Sequence, residues 1–333
     1  MSFKTRFFRV INPLSKNFSF DQFPKLLPFE SIILVYHLVS DNDVKHVKHL
    51  FPYRSLKQFE KDLDFLSKHF EFIDWDDFIN KKKTSKPSVL LTFDDGYREF
   101  YDTISPILLR KGIFAINYIN PKFIDNNEMM WRNKASLIVS GIIENKNFQD
   151  KMFEWTGNKS KDIISSILNI NFKNQYQLDE IADHLEIDIK NYLKTNPVYL
   201  TAEQLQKLKN DGFGIASHGW DHPLYNQLSL IEQLENTQKS FEYMNENHFL
   251  IDSFAFPFTD HLVENQFFDS VFDQNSNLKF TFGAAGLKLD SNEKNIQRIP
   301  IEIRNYSVEE VLKNEIIYYQ FLKNIKKNMI KRS

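Results

Sequence analysis

The chain has 333 residues, no cysteine and a formal net charge of -2, from 42 Lys and Arg against 44 Asp and Glu. Disulfides and thiol catalysis are therefore excluded, and the balanced charge gives no general attraction to nucleic acid or anionic membranes. No stretch approaches the roughly 20 consecutive apolar residues of a membrane-spanning helix.

In chain order, residues 1–30 read as an N-terminal arm. Phe3, Phe7, Phe8, Val10, Ile11 and Leu14 mix with Lys4, Arg6, Arg9 and Lys16, and Pro13 is expected to interrupt any helix there. The mixture suits an arm packed over one end of the fold or, as the alternative, peripheral membrane contact through residues 1–20. Without an apolar signal segment in this stretch, a cytoplasmic location is expected. Ile32–Tyr36 is an apolar strand that runs into His37, and Phe59, Leu63, Leu66 and Phe70 mark one helix face. Ser88–Phe93 reads as a buried strand followed by Asp94-Asp95-Gly96-Tyr97. Gly96 permits a turn into a helix over Tyr97–Arg110, whose apolar positions Phe100, Ile104, Ile107 and Leu108 have helical spacing.

Ile113–Ile119 is the next strand, after which the alternation of strand and helix stops from about residue 121 to 200. This Lys- and Asn-rich region is expected to be a largely helical insertion over the functional face. In it, Trp131, Arg132 and Lys134 either meet a sugar or anchor the insertion. Thr201 caps a helix that Asp211-Gly212 ends, and the strand Phe213–Ala216 then delivers His218 and His222. A further helix carries Ile231, Leu234, Phe241 and Met244, and a last one carries Val308, Val311, Leu312 and Tyr319. The basic segment 326–333 reads as a solvated tail. Strands alternating with amphipathic helices predict a parallel α/β arrangement in one large unit, residues 31–325.

The chemistry concentrates at two strand ends. Two imidazoles, His218 and His222, and one carboxylate make a donor set that suits zinc, with cobalt or nickel as substitutes, and leaves coordination positions open. Such an ion lowers the pKa of bound water by roughly 8 units and polarises a carbonyl oxygen. Asp94 and Asp95 diverge on an extended chain, so one is expected to bind the ion and the other to act as base. The remaining histidines lie in polar or helical stretches and read as surface or structural groups, and Asp221 reads as a support for the ligands.

Thr92-Phe93-Asp94-Asp95-Gly96-Tyr97 together with the downstream His218-x-x-x-His222 resembles the polysaccharide deacetylase (NodB-homology) family, carbohydrate esterase family 4. The resemblance implies a deformed (β/α) barrel that removes acetyl groups from N-acetylated sugars with a divalent metal. It assigns Asp94 as general base and Asp95, His218 and His222 as metal ligands. Ser253–Phe258 resembles the family's third motif, which implies a groove lined by Phe256 and Pro257 and a backbone N–H of Phe258 that meets the oxyanion, and Tyr97 and Trp131 are further candidates for substrate contact. Ile32–Tyr36 followed by His37 resembles the poly-N-acetylglucosamine deacetylase subgroup, in which the equivalent His is the general acid. The arginine that usually precedes the third motif's Pro and the late Leu-x-His motif are both missing, so Arg298 is expected to orient the base. The expected partner is a carbohydrate; oligomeric state is not legible. Three alternatives stay open: an O-acetyl esterase, a deformylase on a lipid-linked or nucleotide sugar, and a catalytically silent carbohydrate-binding barrel.

Overall fold

A computed structural model describes residues 3–157, 160–303 and 305–332. Its strands are β1 Ser31–Tyr36, β2 Glu71–Phe72, β3 Ser88–Phe93, β4 Ala115–Ile119, β5 Gly214–Ser217, β6 Ser253–Ala255, β7 Phe280–Gly283, β8 Leu289–Asp290, β9 Asn295–Gln297, β10 Ile299–Pro300 and β11 Met329–Ile330. The principal helices are α1 Phe3–Ser15, α2 Leu56–His69, α3 Trp75–Ile79, α4 Ser105–Lys111, α5 Trp131–Glu144, α6 Lys146–Thr156, α7 Ser160–Leu168, α8 Tyr176–His184, α9 Ile189–Thr195, α10 Ala202–Asn210, α11 Leu230–Glu246, α12 Asn265–Gln274 and α13 Val308–Asn324.

Eight strands pair in parallel in the order β10, β1, β3, β4, β5, β6, β7, β9, with β2 added to the edge of β3. The two ends of this path, β9 and β10, are one stretch of chain interrupted only at Arg298, and this nearly closes the sheet into a barrel ringed by helices. Strand alternation then sorts the side chains. Ile33, Leu90, Ile116, Tyr118, Ala216, Ala255 and Phe282 form one cluster from six strands and fill the interior. Their outward neighbours Leu34, Leu91, Ala115 and Ile215 pack with Phe59, Leu63 and Leu66 of α2 and Leu205 and Leu208 of α10. Helices α2, α10, α11 and α13 each begin with a capping box, on Ser55, Thr201, Ser229 and Ser307.

Four expectations are corrected. Pro13 does not interrupt α1, because it sits in the last turn, where its missing N–H costs a single helical bond. The arm lies along α13 rather than over an end of the barrel: Phe7 packs on Tyr318 and Phe321, and Asn12 and Ser15 hydrogen-bond Asn314. The helix expected over Tyr97–Arg110 becomes α-helical only at Ser105, after a π-helical turn over Phe100–Ile104 that accommodates Pro106. Finally, the basic tail is not simply solvated. Residues 323–327 are exposed, but β11 then pairs with β8. Beyond it Arg332 buries its guanidinium between Asp260 and Asp290, donating from Nε to Asp290 Oδ1 (2.8 Å) and from Nη1 to the carbonyls of Asp260 (2.9 Å) and Val263 (3.1 Å).

Residues 131–195 contain five helices, α5 to α9, with their own apolar cluster around Leu137, Ile138, Ile142, Leu178 and Leu193. Leu38, Val44, Val47 and Tyr97 of the barrel side join that cluster, which seats the insertion against the strand ends. Among the described residues no helix is long and apolar enough to cross a membrane.

Removing one partner of a buried ion pair strands the other charge. Arg332→Ala is therefore expected to lower stability by about 3–5 kcal/mol in urea unfolding; a loss under about 0.5 kcal/mol would mean that the residue behaves as a surface charge.

Candidate active site

The inward line of each strand continues past the apolar interior into polar groups. On β1 the line Ile33, Val35 leads to His37; on β3, Leu90, Thr92 leads to Asp94; on β5, Ala216 leads to His218. These groups converge at the C-terminal end of the barrel, the usual position of function in parallel barrels. Asp94 N–H still donates to Tyr36 O (3.0 Å), so the ladder holds until the pair of carboxylates begins. Asp95 and Gly96 then both take left-handed backbone, φ 73° and 65°, which turns Asp95 away from Asp94. A side chain at Gly96 would meet Ile119 Cγ2 at 3.1 Å, so the sharp turn needs glycine there. His222 (φ 60°) and Phe258 (φ 57°) are also left-handed, so three non-glycine residues around one pocket hold a costly conformation.

Asp95, His218 and His222 form the one group of three ligand-type side chains found among the described residues, with donor atoms within 4.8 Å of one another. His222 Nε2 lies 3.0 Å and His218 Nε2 3.5 Å from Asp95 Oδ1. His218 Nδ1 faces Ala255 O at 2.8 Å, which assigns its proton to Nδ1 and leaves Nε2 free to bind. Asp95 Oδ1 is buried and accepts no hydrogen bond of good geometry. Burial would raise Asp95, but His222 and His218 hold it well below the usual carboxylate range; burial lowers His222, against Asp95, and keeps it neutral. A buried anionic oxygen with two imidazole nitrogens facing it is a donor set that fits a divalent ion. Asp221 supports it from outside: its Oδ1 accepts from Asn236, whose own Oδ1 accepts from Trp220 N–H.

Beside this cluster, Arg298 grips Asp94 with both ends of its guanidinium, Nη1 to Oδ1 at 2.6 Å and Nη2 to Oδ2 at 2.7 Å. Arg298 is fully buried, donates also to Thr92 Oγ1 and Gly283 O, and lies over the Tyr118 ring. Burial would raise Asp94, but Arg298, joined by His218 and His37, more than offsets it, so the carboxylate stays below its usual range. Opposite, His37 Nδ1 meets Glu302 Oε2 at 2.6 Å, and the same carboxylate accepts from the backbone N–H groups of His37 (3.0 Å) and Leu38 (2.9 Å). Burial pushes His37 down, but Glu302, joined by Asp95 and Asp94, outweighs it and lifts the imidazole to about 9. Glu302 is the residue that sequence reading missed.

One cavity of about 340 Å³ joins these groups: His37, Asp94, Asp95, Tyr97, His222 and Glu302 line it, with Leu50, Phe51, Met130, Arg132, Phe258, Ala284 and Pro300 as further wall. Phe258 is 39% exposed, and its N–H donates to no described protein acceptor. Three residues expected at the substrate are elsewhere. Phe256 is packed among Tyr225, Phe254 and Phe267, because alternation turns it away from the pocket. Pro257 is buried and is not part of the cavity wall. Trp131 is buried as well, donating from Nε1 to His222 O (3.2 Å) and edging against Phe258. It thus anchors the insertion to the candidate ligand loop, as Asn133 does by donating to Tyr97 Oη (2.9 Å).

The polysaccharide deacetylase family profile matches residues 81–263, more than half of the chain. This protein belongs to the polysaccharide deacetylase family. As a member it is a carbohydrate deacetylase, a hydrolase. The deacetylase shares its fold with Streptococcus pyogenes deacetylase PplD in complex with acetate (15% identity, TM-score 0.55, 85% of this chain and 97% of that one). It is likewise similar to a de-N-acetylase from Aggregatibacter actinomycetemcomitans (15%, 0.54, 85% and 99%) and to IcaB from Ammonifex degensii (13%, 0.53, 86% and 97%). No curated protein sequence matches it.

The His37–Glu302 pair sets a testable pH dependence. A raised folded-state pKa adds stability that is complete below the unfolded value near 6.5 and is lost as pH rises through about 9. In chelator-stripped protein, an NMR titration is expected to show His37 protonated at pH 7.5, and Glu302→Gln to lower its pKa, since burial is then opposed only by Asp95 and Asp94. A His37 that titrates near 6.5 in both proteins would contradict the pairing.

Proposed function

We propose that the protein hydrolyses the N-acetyl group of an amino sugar with a divalent ion held by Asp95, His218 and His222, Asp94 as base and His37 as acid. The observation that carries this reading is a single pocket in which an ionised carboxylate and a protonated imidazole face each other across the candidate ligand cluster. The ion, when bound, supplies electrophilic polarisation of the acetyl carbonyl and makes water acidic enough for a weak base to deprotonate.

Asp94 is such a weak base. Both its oxygens are tied to Arg298, so it stays ionised and points one way, able to take a proton without first losing one. As the water oxygen bonds to the carbonyl carbon, its proton passes to Asp94, and negative charge grows on the carbonyl oxygen. The Phe258 N–H, not otherwise engaged and held by a left-handed backbone, is the donor for that oxygen. The C–N bond then breaks while the nitrogen takes the proton from His37 Nε2, the ring atom left over once Nδ1 is committed to Glu302. Acetate and the free amine leave, and solvent exchange restores the proton inventory.

The raised His37 favours an amide over an ester. Amide nitrogen leaves poorly unless protonated, whereas an alkoxide needs less help to leave, so an acid held protonated through neutral pH matters more for an amide than for an ester.

Acetate release from N-acetylglucosamine oligomers by zinc- or cobalt-loaded protein is the test. Asp94→Asn is expected to reduce kcat about 10²–10⁴-fold. His37→Ala is expected to lose comparably on the oligomers while keeping most of its rate on p-nitrophenyl acetate. Equal losses on both substrates would remove His37 from the acid role.

A further inference from the structure

The charges around the pocket pair off with one exception. Asp94 is met by Arg298 and Glu302 by His37, while Asp95, facing two neutral imidazoles, belongs to the candidate ion site. Arg132, on the first turn of α5, also lines the cavity, yet no described carboxylate lies within ion-pair reach of it. Its only described hydrogen bond is from Nη1 to Leu168 O (2.5 Å), and its guanidinium lies 5.1 Å from the Trp131 ring centre. The first turn of α5 holds no Asp or Glu to neutralise it. Burial alone acts on it, with no nearby charge in opposition. A guanidinium is charged at every accessible pH and carries five donors, so most of its donors remain free beside the reacting groups.

A neutral amino sugar gives no reason for an uncompensated cation there. Hydroxyls and an acetamide are served by neutral donors, and a partly buried charge costs desolvation unless something repays it. The backbone carbonyl of Leu168 and the face of Trp131 steady the side chain, leaving its other N–H groups to a ligand. A planar fork of that kind matches an anionic oxygen pair.

We infer that the substrate is an N-acetylated sugar bearing an anionic substituent, a phosphate or a carboxylate, that Arg132 recognises in the same cavity as the acetyl group. This rests on the deacetylase reading only in naming which end of the sugar faces Asp94. Arg132 is therefore a specificity residue contributed by the insertion, which gives that insertion a role beyond covering the barrel end.

The test measures binding to zinc-loaded Asp94→Asn protein by calorimetry. The probes are N-acetylglucosamine, its 1-phosphate, its 6-phosphate and N-acetylmuramic acid. At least one anionic sugar is expected to bind at least about tenfold more tightly than the neutral one, the scale of one charge-assisted contact, and the arm that wins distinguishes phosphate from carboxylate. Adding Arg132→Gln is expected to collapse that ratio toward one, with Arg132→Lys between. A ratio already near one, or a second substitution that weakens neutral and anionic sugars alike, overturns the inference. Acetate release by the wild-type protein is followed on the same four sugars. Its absence from all of them would contradict the deacetylase reading, while the binding ratio still decides the role of Arg132.

Discussion

The Arg298–Asp94 pair is the constraint on which the rest of the site depends. Two charges taken fully out of water carry a desolvation penalty of several kcal/mol each, on an order-of-magnitude scale, and only good geometry offsets it. Here the geometry is bidentate, and Thr92, Gly283 O and the Tyr118 ring satisfy the remainder of the guanidinium. Arg298 occupies the single residue between β9 and β10, where the sheet meets itself. The closure of the barrel and the orientation of Asp94 are therefore one event: the chain cannot close in this register without presenting the arginine to the carboxylate.

From that point the site is built outward in two directions. The second carboxylate is displaced by two successive left-handed residues toward His218 and His222, and the loop after β5 is braced by Asn236 and by Trp131 against the His222 carbonyl. On the other side, the stretch that supplies Arg298 continues four residues to Glu302, which fixes His37 through its ring and two backbone amides. Residues 298–302 thus set the charge state of both proton-transfer groups, lowering one and raising the other. Pulling two pKa values apart in one pocket is how a fold performs base and acid chemistry at the same pH.

How much of this was legible in the sequence follows from distance along the chain. The strand Ser88–Phe93, the Asp94-Asp95-Gly96 turn, the His218/His222 spacing and the Thr201 cap are local patterns, and the structure brings Asp94, Asp95, His218 and His222 together. Glu302 carries no local mark; it is a lone carboxylate between two isoleucines, and its partner is 265 residues away. Arg332 belongs to a basic run that would be solvated but for Asp260 and Asp290, which approach only after the barrel closes. Aromatic residues mislead for a different reason. Phe256 and Trp131 stand beside functional positions, but strand alternation and the packing of the insertion decide which side of the wall they face, and both turn away from the pocket into packed apolar clusters.

Asp95, His218 and His222 are the proposed metal centre, and that assignment is most directly tested by titrating zinc into chelator-stripped protein and recording the X-ray absorption spectrum of the product. One zinc per chain, with two imidazoles and otherwise oxygen ligands in the first shell, and loss of that binding in His218→Ala, is the predicted result. A chain that takes up no zinc, or binds it equally well without His218, would contradict the assignment.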